Sequence, residues 1–157
     1  MSVQRASSLD LSVREGPVEA ILALLPLAAG CGDGQDSYCS AVKDHQEELT
    51  TITSDGNEDS LIRALDIFKD LQDKSPSDVS DEWQQLVSRI ETLDEALADA
   101  GVDPATYDRD HPPKGLSQDD QARIDAAARE LGSGPTLAAF QGLQQEVLDV
   151  CHTPLTL

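Results

Sequence analysis

From residue 36 onward, apolar side chains recur every third or fourth position, the period of a helix with one buried face. In "DSYCSAVKDHQEELTTI" the positions Tyr38, Val42, His45, Leu49 and Ile52 form such a seam. "SDGN" interrupts it, and "NEDSLIRALDIFKDLQD" resumes with Leu61, Leu65, Phe68 and Leu71 on one stripe and Ile62 beside it. Pro76 stops this second helix, because proline lacks the amide proton that the next turn needs. A long third helix follows a Ser77 cap, with Val79, Trp83, Leu86, Ile90, Leu93, Leu97 and Ala100 in register, and Gly101 ends it. Residues Val102–Leu116, "VDPATYDRDHPPKGL", hold three prolines and a glycine, so no regular element is predicted there. A fourth helix is capped by Ser117, carries acids in its first turn, and buries Ile124, Ala127, Ala128 and Leu131. "GSGP" separates it from a fifth, Thr136–Cys151, with Leu137, Phe140, Leu143, Val147 and Val150 or Cys151 inside. The expected class is all-α: a bundle of about five helices with one long proline-rich crossover.

Composition agrees with that reading. Hydrophobic residues make up 39% of the 157 and aromatics only 3%, so the core is aliphatic and alanine-rich, which favours helix over sheet. Thirty acidic residues against 11 basic ones leave a net charge of −19. Such a surface repels phosphate backbones, so no nucleic-acid partner is expected. It also repels anionic headgroups, so membrane attachment through a basic patch is excluded. A cation or a basic protein is the partner this charge would attract; plain solvation of the helix faces is the simpler account.

Ahead of the helices, Ala20–Ala29 is uninterrupted and apolar. That run is shorter than the ~20 residues a spanning helix needs, and matches the ~7–15 of a secretory signal. Ala28, Ala29 and Gly30 lead into Cys31. This resembles the lipobox of bacterial lipoproteins, which implies diacylation of Cys31 after cleavage before it. Ala28 stands where an aliphatic residue is usual, with Leu27 one place earlier. In "MSVQRASSLDLSVREG", Arg5 and Arg14 are offset by Asp10 and Glu15, and Glu19 abuts the apolar run, so an altered leader or a different biological start is expected. Taken with "YC" in the first helix and "DVCHTPL" at the carboxyl end, "LPLAAGCG" is similar to small uncharacterised lipoproteins of high-GC Gram-positive bacteria. The resemblance implies an envelope location, lipid-anchored outside the cytoplasm, and a helical domain; it implies no reaction. Plain secretion is the alternative. Residues 1–30 are then a leader, 31–36 a tether and 37–157 one helical domain.

If Cys31 carries lipid, Cys39 and Cys151 remain as an even pair, and a disulfide between the first and last helices is expected in an oxidising compartment. Two buried free thiols are the alternative reading. A bridge needs Cα atoms within ~7 Å. Five strictly alternating helices would put the two cysteines at opposite ends, so the proline-rich stretch is expected to run the bundle's length. Fifteen residues at ~3.3 Å each can do this. The fourth helix would then run parallel to the third.

Candidate chemistry is sparse. His45 is the polar residue on the first seam; bonding to a neighbouring acid is the plainer expectation, a ligand role the sharper one. "YDRDHPP" gathers Asp108, Asp110 and His111 on a loop, with Asp103 nearby, a partial oxygen set for a hard cation but without an EF-hand pattern. No nucleophile elbow, HExxH or phosphate loop occurs. Two functions follow as expectations: a non-enzymatic binding or scaffolding module needing no cofactor, or a bundle holding a metal or small ligand near His45 or Asp108–His111.

Overall fold

The computed structural model of the protein describes residues 32–157. The leader and Cys31 lie outside the described residues. Six α-helices follow in order: α1 (Gly32–Ser54), α2 (Ser60–Arg63), α3 (Leu65–Lys74), α4 (Ser80–Asp99), α5 (Gln118–Leu131) and α6 (Gly134–Cys151). A single 3-10 turn, Pro104–Thr106, sits between α4 and α5. Among the described residues there is no strand.

Element boundaries differ from the sequence reading at four places, one of them α6, which begins at Gly134 rather than Thr136. α1 begins at Gly32, so residues 32–36, expected as a tether, are helical. The second helix is divided at Ala64 (φ −83°, ψ −4°) into α2 and α3. Helical bonding still crosses the division, from Ala64 N to Ser60 O and from Phe68 N to Ala64 O, both 3.0 Å, so the chain keeps its course. α4 starts at Ser80 rather than at the expected Ser77 cap.

α4 is the hub, in contact with α2, α3, α5 and α6. α1 and α3 run antiparallel, with Asp55 meeting Arg63 and His45 meeting Asp70. α3 and α4 do likewise, with Lys69 meeting Glu91 at 2.9 Å and Gln72 meeting Gln84 at 3.2 Å. Along α4, Asp99 meets Arg123, Arg89 meets Glu130, and Glu82 faces Gly142. That register descends α4 as it ascends through α5 and then α6. α5 is therefore antiparallel to α4, against the parallel course expected, and α5 and α6 together form one broken return limb. The bundle has four limbs, up-down-up-down, and an even count brings its first and last ends together. The proline-rich connection need not travel; it stays at the carboxyl end of α4, where Arg109 bonds Asp125 at 2.9 Å.

Local chemistry explains the turning points. Gly101 (φ +68°) follows α4, its N–H donating to Ala98 O and that of Val102 to Leu97 O, a left-handed cap that satisfies two of the last carbonyls. Ser117 Oγ accepts from Asp120 N at 3.0 Å as the predicted cap of α5. At the break between α5 and α6, the buried Thr136 hydroxyl donates to Glu130 O at 3.0 Å, a second bond to a carbonyl that also accepts from Ser133 N at 3.2 Å.

The core joins α1, α3, α4 and α6 around Trp83, which is fully buried. Its Nε1–H donates to the buried Tyr38 hydroxyl at 3.1 Å, and its ring meets Tyr38 edge-on and Phe68 at a tilt. Cys39 and Cys151 are bridged, with Cα atoms 5.2 Å apart. His152, left-handed at φ 54°, then turns the chain back beside α1. There Gln46 bonds Thr153 at 2.9 Å and Leu157 N donates to Thr50 Oγ1 at 2.8 Å. Leu137, expected inside, is 52% exposed. The buried stripe of α6 is Thr136, Ala139, Leu143, Val147 and Cys151, so Leu143, Val147 and Cys151 lie inside as expected, and Phe140 packs partly buried against the core.

Candidate functional site: a slot beneath the proline-rich connection

The sequence-predicted candidates do not converge. His45 Nε2 lies 3.0 Å from Asp70 Oδ2, and Asp70 also pairs with Lys74. Those two bonds, Lys74 first and His45 second, hold the Asp70 carboxyl below its usual range. The triad is partly solvent-exposed, so it contributes little to stability. This is the bonded histidine of the plainer expectation. Asp108 spends its carboxylate on its own turn: Oδ1 accepts from Asp110 N at 2.8 Å and His111 N at 3.2 Å, and Oδ2 meets His111 Nδ1 at 2.9 Å. The side chain of His111 is 84% exposed. Among the described residues no group of three or more His, Cys, Asp or Glu side chains could hold a metal ion. His45 and the Asp108–Asp110 turn line different hollows of the bundle.

A small, mostly apolar cavity lies elsewhere among the described residues. Because the connection stays at one end, Pro104 and Tyr107 roof a slot between α2, α4 and α5. Its volume is about 140 Å³. Ile62, Leu93, Leu97, Ile124 and Ala128 make an apolar floor, while Glu58, Asp59, Tyr107, Arg109 and Asp125 supply the polar groups. The Tyr107 hydroxyl oxygen is buried and has no hydrogen-bond partner. Burial raises the Tyr107 phenol above its ordinary value, as does the Asp125 charge, while Arg109 opposes the rise. Arg109 is tied to Asp125, so its charge is already answered. Glu58 and Asp59 carry no ion pair among the described residues. Outside the slot, the same Glu58, Asp59 and Tyr107 border a second hollow that adds Asp108 and Asp110. Most of the floor residues were legible as helix stripes; that they leave a space was not. The polar residues Tyr107 and Arg109 were missed as a site, and no motif marks them.

A second unsatisfied polar group sits at the other end. Both carboxylate oxygens of Glu146 on α6 are buried without partners. Burial raises its pKa above the ordinary 4.5, and the nearby Asp78 and Asp149 add to the rise. The Tyr38 hydroxyl on α1 is pushed up to about 12, chiefly by burial, with Glu146 and Asp78 adding and the Trp83 bond opposing. An acid whose folded pKa is raised binds its proton more tightly in the folded state. Stability is therefore expected to fall as pH rises from 4.5 through the folded pKa. Glu146→Met removes the orphaned charge while keeping the side chain's length. It is expected to stabilise the fold at pH 7 by about 1–3 kcal/mol and to flatten this slope, read from urea midpoints at several pH values.

No protein-family model, no curated protein and no solved structure matches the chain. The class of protein is therefore defined by architecture alone: an acidic, disulfide-closed helical bundle with a small apolar slot among the described residues.

Proposed function

We propose that this protein is an extracytoplasmic binding or scaffolding module, anchored to the cell membrane by lipid on Cys31 and without enzymatic activity of its own. The Cys39–Cys151 bridge carries the reading, because disulfides persist in oxidising compartments and are rare in a reducing cytosol. No helix among the described residues is long and apolar enough to cross a membrane, so attachment in this reading depends on acyl chains. The net charge of −19 suits a basic protein partner or a cation.

Intact mass of the membrane-fraction protein, with metabolic labelling by an alkyne fatty acid, tests the proposal. The expected species begins at Cys31, carries acyl mass, and lacks the two hydrogens lost to a disulfide. Cys31→Ser is expected to abolish labelling. An uncut, unlabelled and fully reduced chain would end the proposal.

A second reading is favoured by the slot: the bundle binds a small organic ligand there. An apolar floor with a few polar groups around it is the usual make-up of such sites.

A further inference from the structure

We propose that the slot under Pro104 and Tyr107 binds a compact organic amine, with its apolar body on Ile62, Leu97 and Ile124 and its ammonium group at Glu58 and Asp59. The inference rests on the second reading above and not on export. Two observations carry it. The first is size: at about 140 Å³ the space is close to the ~150 Å³ of an engineered apolar cavity that holds benzene. One ring or a short aliphatic chain fills it.

The second is sign. Arg109 is the one cation of the lining and is bonded by Asp125 at 2.9 Å. Glu58 and Asp59 remain unanswered among the described residues, and Asp108 and Asp110 deepen the negative potential just outside. An anionic ligand would meet that potential at the mouth; a cation is drawn in by it. The acids alone would attract any cation; the apolar floor is what selects an amine with a body.

Three probes of one shape separate the possibilities: 2-phenylethylamine, 2-phenylethanol and 3-phenylpropionate, titrated at low salt and followed by amide NMR shifts. The amine is expected to move Leu97, Tyr107 and Ile124 and to bind at least about tenfold more tightly than the alcohol, with the carboxylate weakest. Raising the salt should shrink the preference, because the acids stand at the mouth. In Glu58→Gln/Asp59→Asn the amine and alcohol should bind within about threefold of each other. Asp59 makes no side-chain cap bond to α2, so this variant leaves the helix start intact. Ala128→Leu fills the slot and should abolish binding of all three; if it does not fold, the acid variant carries the test. Amine and alcohol binding equally would overturn the amine assignment and leave the second reading standing. Carboxylate binding as tight as the amine, or shifts confined to surface acids, would overturn the assignment too. Binding of none of the three would remove both.

Discussion

Replacing Cys39 and Cys151 together by serine is expected to lower the stability of the fold by about 2–5 kcal/mol, the largest effect of any change that leaves the core's volume intact. The bridge spans 112 residues, nearly the whole folded domain. Chain entropy lost by closing a loop of roughly 100 residues sets an upper figure of ~4.7 kcal/mol. For a domain of this size the melting temperature should fall on the order of 10 °C. Dithiothreitol added to the wild type should reproduce the drop and leave the double variant unmoved. The carboxyl-terminal tail should loosen as well, because Cys151 immediately precedes the turn that lays Thr153 and Leu157 against Gln46 and Thr50. Faster amide exchange at Leu157 reads that directly. A melting point indifferent to reductant, with both thiols reduced, would show that the staple does not stabilise the fold.

Trp83→Ala is expected to cost more than about 4 kcal/mol, enough to unfold much of the population of a marginally stable domain. Two losses combine. The side chain is fully buried between Tyr38 and Phe68, and truncating a buried aromatic residue costs ~3–5 kcal/mol in lost transfer energy and cavity. Its Nε1–H is also the partner of the buried Tyr38 hydroxyl, which would be left unpaired at a cost of ~1–3 kcal/mol. Trp83→Phe isolates the second loss in part, since a ring remains. Adding Tyr38→Phe to Trp83→Phe should then recover some stability, because no orphaned hydroxyl is left. The measurement is urea unfolding by circular dichroism, as the only tryptophan is the one removed. A double variant no more stable than Trp83→Phe alone would show that the orphaned Tyr38 hydroxyl costs nothing.

Helical identity was readable because each limb repeats its apolar residues over several turns. Tyr38, Val42, Leu49 and Ile52 are buried as their spacing requires, and so are Trp83, Leu86 and Ile90. Short-range chemistry was readable too: the Ser117 cap and the Gly101 stop depend on residues a few positions away. The pairing of Cys39 with Cys151 follows from the number of sulfurs, but not by the extended crossover expected, because α5 and α6 make one limb rather than two. Gly132 and Ser133 look in sequence like the turns that reverse a chain, but the register of Asp99 with Arg123 and of Glu82 with Gly142 shows the course continuing. Leu137 was misplaced for a related reason. On α6, Thr136 and Leu137 stand side by side in the first turn, and only the neighbouring helix decides which of them faces inward.

The slot lay beyond reach for a different cause. Leu93, Leu97 and Ile124 belong to stripes that predict a filled interface, and Ile62 lies beside another. Whether three such stripes meet or leave a gap depends on the angles and separations of the limbs, which no local pattern encodes. The amino-acid sequence by itself determined which segments are helical, where they stop, which faces are greasy and that the surface is strongly negative, since these follow from nearest neighbours along the chain. Only the tertiary structure decided the number of limbs, the direction of α5 and the space under Tyr107, because those arise from packing between residues far apart in sequence.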